Sequence, residues 1–243
     1  MKKTFAVFCL TILILISIGL MSCRIEDNTL EPISRTISTE KGYRNFSEIS
    51  VSNGFQLFIT QDGTESVRIE TSQNLLPYII SYQKDGLIVL KREENIHFAG
   101  NAVVKIFVSV KDLNQIYASG GSIVKGETVL SSTNLGLDFS GGSILNAKIN
   151  SRIINGNFSG GSIFDLTGTS EVFNIVGSGG CILDGSRHQT DNLTANISGG
   201  SIFNMTVHNS LSLIASGGSI ITYYGDGKVL SNITSGGSIV TKK

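Results

Sequence analysis

The chain has no Trp and only 2 Pro in 243 residues. Charged residues are just 16% of it, 19 basic against 19 acidic. Such a sparse, balanced charge lacks the basic excess that offsets phosphate, so nucleic acid is not an expected partner. Cysteine is also scarce. Cys9 lies in an N-terminal apolar run and Cys23 just beyond it, which leaves Cys181 alone and excludes an intrachain disulfide in the mature chain. The three histidines, His97, His188 and His208, lack metal-ligand spacing, so no metal site and no cofactor are expected. His188 and His208 sit at equal offsets in successive repeats, so the two rings could stack.

Glycine is abundant, with 28 residues, and it is ordered. Ser-Gly-Gly-Ser-Ile starts at Ser119, Ser140, Ser159, Ser198, Ser216 and Ser235, with Ser-Gly-Gly-Cys-Ile at Ser178. The intervals are 21, 19, 19, 20, 18 and 19 residues. A near-constant period of this length means stacked units, each burying its apolar face on the next. Residues alternate within each unit, as in Leu135, Leu137 and Phe139, so the units are short strands paired in parallel. The expected fold is all-β: a right-handed parallel β-helix of about seven short coils over residues 116–243, roughly 30 Å long at one strand spacing per coil. The glycine pairs (Gly120, Gly121; Gly141, Gly142; Gly160, Gly161; Gly179, Gly180; Gly199, Gly200; Gly217, Gly218; Gly236, Gly237) mark one sharp turn per coil. There, glycine allows positive φ and spares a clash with the next coil.

Two apolar columns follow each turn. The Ile column (Ile123, Ile144, Ile163, Ile182, Ile202, Ile220, Ile239) is expected to fill the core. The next column (Val124, Leu145, Phe164, Leu183, Phe203, Ile221, Val240) either packs inward across a corner or forms an outward contact stripe. The flanking Ser columns are expected to bond along the stack, with Cys181 as a small buried substitute for Ser. A third column is polar: Lys125, Asn146, Asp165, Asp184, Asn204, Thr222, Thr241. It places Asp165 beside Asp184, ~5 Å apart. That pair is either a solvated ladder or a carboxylate site for a glycosidase or a cation. Tyr223 and Tyr224 are the best adjacent aromatic pair for stacking on a sugar. The two terminal lysines protect the open edge.

Residues 40–115 read as an antiparallel β region. Asn53-Gly54 and Asp85-Gly86, each between alternating apolar runs, are hairpin signals. The N-terminus is an address. Lys2 and Lys3 precede an apolar run from Phe5 to Leu20, read as a secretory signal over 1–22. Leu20-Met21-Ser22-Cys23 resembles the lipobox of bacterial lipoproteins. That resemblance implies cleavage before Cys23, lipid on Cys23, and a flexible tether to residue 39. Glu26 and Asp27 resemble the surface-export signal of Bacteroidetes-type lipoproteins.

Phe46-Ser-Glu-Ile-Ser-Val-Ser-Asn-Gly54, Val67-Arg-Ile-Glu, Asp85-Gly-Leu-Ile-Val and Ala118-Ser-Gly-Gly-Ser122 together resemble the auto-transporter adhesin, head GIN domain family of bacterial envelope proteins. The resemblance implies an all-β fold with a β-helix, export, and a lipoprotein form in the outer membrane. It brings no catalytic residues. The leading expectation is a lipid-anchored, adhesin-like binding module of the cell envelope, not an enzyme, with polysaccharide or protein as ligand. One alternative is a carbohydrate-active enzyme using Asp165 and Asp184. The other is a self-assembling homo-oligomer, joined through the open coil end or the second apolar column.

Overall fold

The computed structural model describes residues 28–243. Cys23, the signal segment and the Glu26-Asp27 pair lie outside the described residues. The N-terminal part holds β1 (Thr29–Leu30), β2 (Thr36–Lys41), β3 (Glu48–Val51), β4 (Gln56–Gln61), β5 (Ser66–Ser72), one 3-10 turn (Leu76–Tyr78), β6 (Ile79–Lys84), β7 (Leu87–Arg92), β8 (His97–Phe98) and β9 (Lys105–Val110). The repeats supply β10 (Gln115–Ala118), β11 (Ile123–Gly126), β12 (Leu130–Phe139), β13 (Ile144–Phe158), β14 (Ile163–Gly177), β15 (Ile182–Ile197), β16 (Ile202–Ala215), β17 (Ile220–Tyr224), β18 (Lys228–Thr234) and β19 (Ile239–Lys242).

Successive coils pair in parallel, in the register that the motif predicts: Leu145 with Phe164, Phe164 with Leu183, Leu183 with Phe203. Each middle coil is one long strand that bends near its centre. In β13 the inward–outward alternation slips by one residue at Arg152–Ile153, so both halves keep an apolar inner face. The core is a stack of such faces. Phe158 lies on Phe164 with ring centroids 3.8 Å apart, and Phe139 meets Phe164 edge-on at 5.2 Å.

The structure reverses one expectation about this core. The Ile column points outward: Ile163, Ile182, Ile202, Ile220 and Ile239 are 39% to 55% exposed. In the first six coils the Ser or Cys before the Ile is buried instead, and so is the second apolar column from Val124 to Ile221; Ser238 in the last coil is half-buried. A buried hydroxyl is cheap here because each has a partner. Ser122, Ser143 and Ser162 each donate at 2.8 Å to the carbonyl of the Ser three residues back, and the Cys181 thiol does so at 3.1 Å. These bonds close the turn within one coil. Only later rungs add a bond along the stack, as from Ser219 to the Gly199 carbonyl at 2.9 Å.

The glycine pair divides its labour. A Cβ on Gly141 would lie 3.0 Å from the backbone nitrogen of Gly120 in the preceding coil, whereas a Cβ on Gly142 would meet nothing. Both have positive φ, 63° and 78°. In the coils at Ser178 and Ser198 only the first glycine, Gly179 or Gly199, has positive φ.

The N-terminal region does contain antiparallel pairs, β2 with β5, β5 with β9, and β6 with β7 across Asp85-Gly86. The hairpin expected at Asn53-Gly54 does not form. β3 pairs in parallel with β7 and β10, and β4 in parallel with β9 and β11. Asn53 and Gly54 have φ of 65° and 76°, close to Gly120 and Gly121, so Ser52-Asn53-Gly54 is a further solenoid corner beneath the first glycine pair. The solenoid therefore begins before its repeats do. β2 starts at Thr36, and the Asn74 side chain bonds to the Glu31 carbonyl and the Ile33 amide.

At the C-terminal end, inward positions turn polar. Asn232 continues the Leu213 column, Thr234 the Ala215 column and Lys242 the Tyr223 column. A bulge pairs Val229 with Leu211 and leaves Leu230 62% exposed. A polar last rung suits an end that faces water.

Candidate functional site

The polar column behaves as the register predicts: Lys125, Asn146, Asp165, Asp184, Asn204, Thr222 and Thr241 are successive Cα partners. Its two carboxylates are already engaged. The coil that starts at Ser178 is one residue longer than its predecessor, and a bulge after Asp165 absorbs the excess. Arg187 thereby reaches the Asp165 carboxylate at 2.6 Å. Asp184 accepts from the Ser186 hydroxyl at 2.7 Å and from its amide at 3.1 Å. These bonds, with Arg187 as a smaller contribution, hold the Asp184 pKa below the usual carboxylate value. A glycosidase general acid needs the opposite shift. Among the described residues, no group of three His, Cys, Asp or Glu is placed to hold a metal ion.

Past Lys125 the same outward column continues into Phe58 and Phe107, stacked at 5.0 Å. Cations cover this aromatic step. Arg68 lies 4.1 Å from the Phe107 centroid and the Lys125 ammonium 5.7 Å from that of Phe58. Tyr223 is buried in the core, so Tyr223 and Tyr224 do not form a joint platform. The two histidines do not stack either. His188 fills the core edge-on to Phe173, while His208 lines a surface groove of about 430 Å³.

His188 anchors a buried polar cluster. Its Nδ1 lies 3.3 Å from the Thr167 carbonyl, which can only accept, so Nδ1 carries the hydrogen. Its Nε2 then accepts from the Ser170 hydroxyl at 3.0 Å, and Ser170 lies 2.9 Å from the Thr190 hydroxyl. Burial pushes the His188 pKa down, outweighing the bond to Thr167.

An open face lies on the strand before the glycine turn, on columns that carried no sequence expectation. A groove of about 720 Å³ is lined by Glu48, Asp112, Asn114, Gln115, Asn134, Gly136, Asp138, Asn155 and Asn157, among others. A second, of about 440 Å³, continues from it through the shared Asp138 and Asn157 to Tyr117 and Val176. Parallel register builds this face: Gln115, Gly136, Asn155 and Asn174 form one column, and Tyr117, Asp138, Asn157 and Val176 the next. Gly136 has no side chain, and the Gln115 amide folds into the gap and bonds to Asp138. Asn157 donates to Asp138 at 2.7 Å, and Asn174 to Asn155 at 2.9 Å. Tyr117 is 37% exposed at the rim. Partial burial raises its pKa, and the carboxylates of Glu48 and Asp138 add to that, so the phenol stays a neutral donor. None of the residues lining the larger groove is Lys, Arg or His. Such a surface offers fixed amide and carboxylate partners to hydroxyl groups and repels polyanions.

Residues 45–227 match the family described as "putative auto-transporter adhesin, head GIN domain". No curated protein matches the sequence. Several solved structures share the fold. A putative adhesin from Bacteroides fragilis has a TM-score of 0.80 at 19% identity, over 88% of this chain and 99% of that one. A putative lipid binding protein from Parabacteroides distasonis has a TM-score of 0.74 at 13% identity, over 88% and 99%. A putative adhesin from the same species has a TM-score of 0.71 at 16% identity, over 88% and 100%. Among the described residues, no helix is long and apolar enough to cross a membrane.

Proposed function

From the premise that this chain belongs to the auto-transporter adhesin, head GIN domain family, we propose that it is an envelope-anchored binding module that holds an extended, uncharged or amino-bearing glycan. The glycan lies in the groove before the glycine turn. The carrying observation is the continuity of the two grooves through Asp138 and Asn157, with Tyr117 at the rim and no cation in the larger one. The amide and carboxylate oxygens accept from sugar hydroxyls. The Tyr117 ring supplies the flat apolar contact that a sugar face needs. The module binds without catalysis. Its anchor is lipid on Cys23, with the Leu20-Met21-Ser22-Cys23 sequence as support, and it resides on the outer membrane.

Titration calorimetry against neutral, amino-bearing and anionic polysaccharides tests this reading. Asp138→Ala and Tyr117→Ala each remove about 1–2 kcal/mol, roughly a ten-fold loss in affinity for the polymer bound. Preference for a polyanion, or wild-type affinity in both variants, would refute the assignment of the groove.

A further inference from the structure

The hydrogen bonds inside the groove have a direction. The Asp138 carboxylate can only accept, so Gln115 and Asn157 each turn an amide nitrogen toward it. Donors are thereby used within the surface, and oxygens are left over. Gln115 Oε1 lies over Gly136, in the space that a Cβ there would fill. Among the described residues, neither Gln115 Oε1 nor Asn157 Oδ1 accepts a bond from the chain. Charge points the same way. Glu48, Asp112 and Asp138 line the larger groove and none of them is ion-paired. No Lys, Arg or His lines either groove. The register then sets an aromatic ring among these carboxylates. Tyr117 on β10 pairs with Asp138 on β12, while Glu48 on β3, on the other side of β10, pairs with Gln115 two residues away. Burial, and after it the carboxylates of Glu48 and Asp138, oppose ionisation of the phenol.

We propose that the groove selects glycans with free amino groups, and that one ammonium lies on the Tyr117 ring between Glu48 and Asp138. The inference rests on the glycan reading above and narrows it from uncharged or amino-bearing sugars to the amino-bearing ones. An ammonium brings three donors and no acceptor, which matches a surface of leftover oxygens. A hydroxyl brings one donor and two lone pairs, and the lone pairs meet oxygens whose donors are already engaged. N-acetylation removes the positive charge and adds one more acceptor. The face of an aromatic ring attracts a cation as well as a sugar ring, so Tyr117 serves both parts of an amino sugar.

The test is calorimetry of the purified full-length protein with three probes: a glucosamine oligomer, the same oligomer fully N-acetylated, and a lysine oligomer of equal charge. The free-amine glycan binds roughly 10- to 100-fold more tightly than its acetylated form, the range of one or two charge-assisted hydrogen bonds. Asp138→Asn and Glu48→Gln each bring that ratio toward one, because each removes a charge and keeps the shape of the side chain. Equal affinities for the two glycans, or a ratio unchanged in both variants, would overturn the amine assignment and leave the groove a glycan site. Binding of neither glycan would overturn the inference outright. A lysine oligomer bound at least as tightly as the free-amine glycan would overturn the glycan reading along with it.

Discussion

The two glycines of one turn should fail differently when given a Cβ. Gly160 and Gly161 both have positive φ, 66° and 85°, so alanine at either costs about 1–2 kcal/mol in the left-handed region. A Cβ on Gly161 meets nothing within 4 Å, whereas one on Gly160 lies 3.0 Å from the nitrogen of Gly141 and 3.5 Å from its Cα. That neighbour is backbone and cannot swing aside. The rungs cannot spread freely either, because Ser159 donates to the Phe139 carbonyl and Ile163 to the Ser143 carbonyl, both at 2.9 Å. Overpacking of this kind adds about 1–3 kcal/mol. Gly161→Ala should therefore cost about 1 kcal/mol and Gly160→Ala about 3, which at ~2–4 °C per kcal/mol are melting shifts near 3 °C and 9 °C. Thermal unfolding followed by circular dichroism of purified protein measures both. Equal shifts, or a larger one for Gly161→Ala, would refute the division of labour between the glycines.

His188 sets a pH dependence. Its folded pKa is depressed, so the unfolded chain binds more protons, and stability present above ~6.5 is lost as pH falls below that value. His188→Leu should flatten the slope of melting temperature between pH 7 and 5, and an unchanged slope would count against the buried neutral ring. Phe203→Ala should cost about 3–5 kcal/mol, and its neighbour Ile202→Ala well under 1; urea titration separates them, and similar losses would contradict the inward–outward assignment. Metabolic labelling with an alkynyl fatty acid should mark the wild type and not Cys23→Ala. Label on both would remove the proposed anchor.

The repeat made the register legible, since a fixed period with a fixed motif leaves one way to stack the coils. It did not make the phase legible. Ile outranks Ser in hydrophobicity, which argues for Ile inside, but a turn carbonyl satisfies each Ser hydroxyl and removes the cost of burying it. Gly-Gly also interrupts the alternation that would have fixed the phase. Asn53-Gly54 and Asp85-Gly86 teach a related limit. Both dipeptides have positive φ at both residues, yet one turns a solenoid corner and the other closes a hairpin. Local sequence specifies φ; the partner strand is chosen by the rungs above and below. The carboxylate pair was legible as a pair, but its neutralisation was not, because a one-residue bulge delivers Arg187 to Asp165. The groove was not legible, since its columns mix Tyr, Asp, Asn and Val and become one surface only when the parallel register sets them side by side.

A solenoid whose rungs bond only to their neighbours can change its reach in fixed steps. The coil intervals already vary from 18 to 21 residues, and register shifts between Asp165 and Thr167 and between Gly185 and Gln189 absorb the differences. Duplicating one coil beyond Ser178 would lengthen the stack by ~4.8 Å and leave the groove at the other end untouched. The length of the stack thus becomes a quantity set by copy number, separable from the chemistry of the groove.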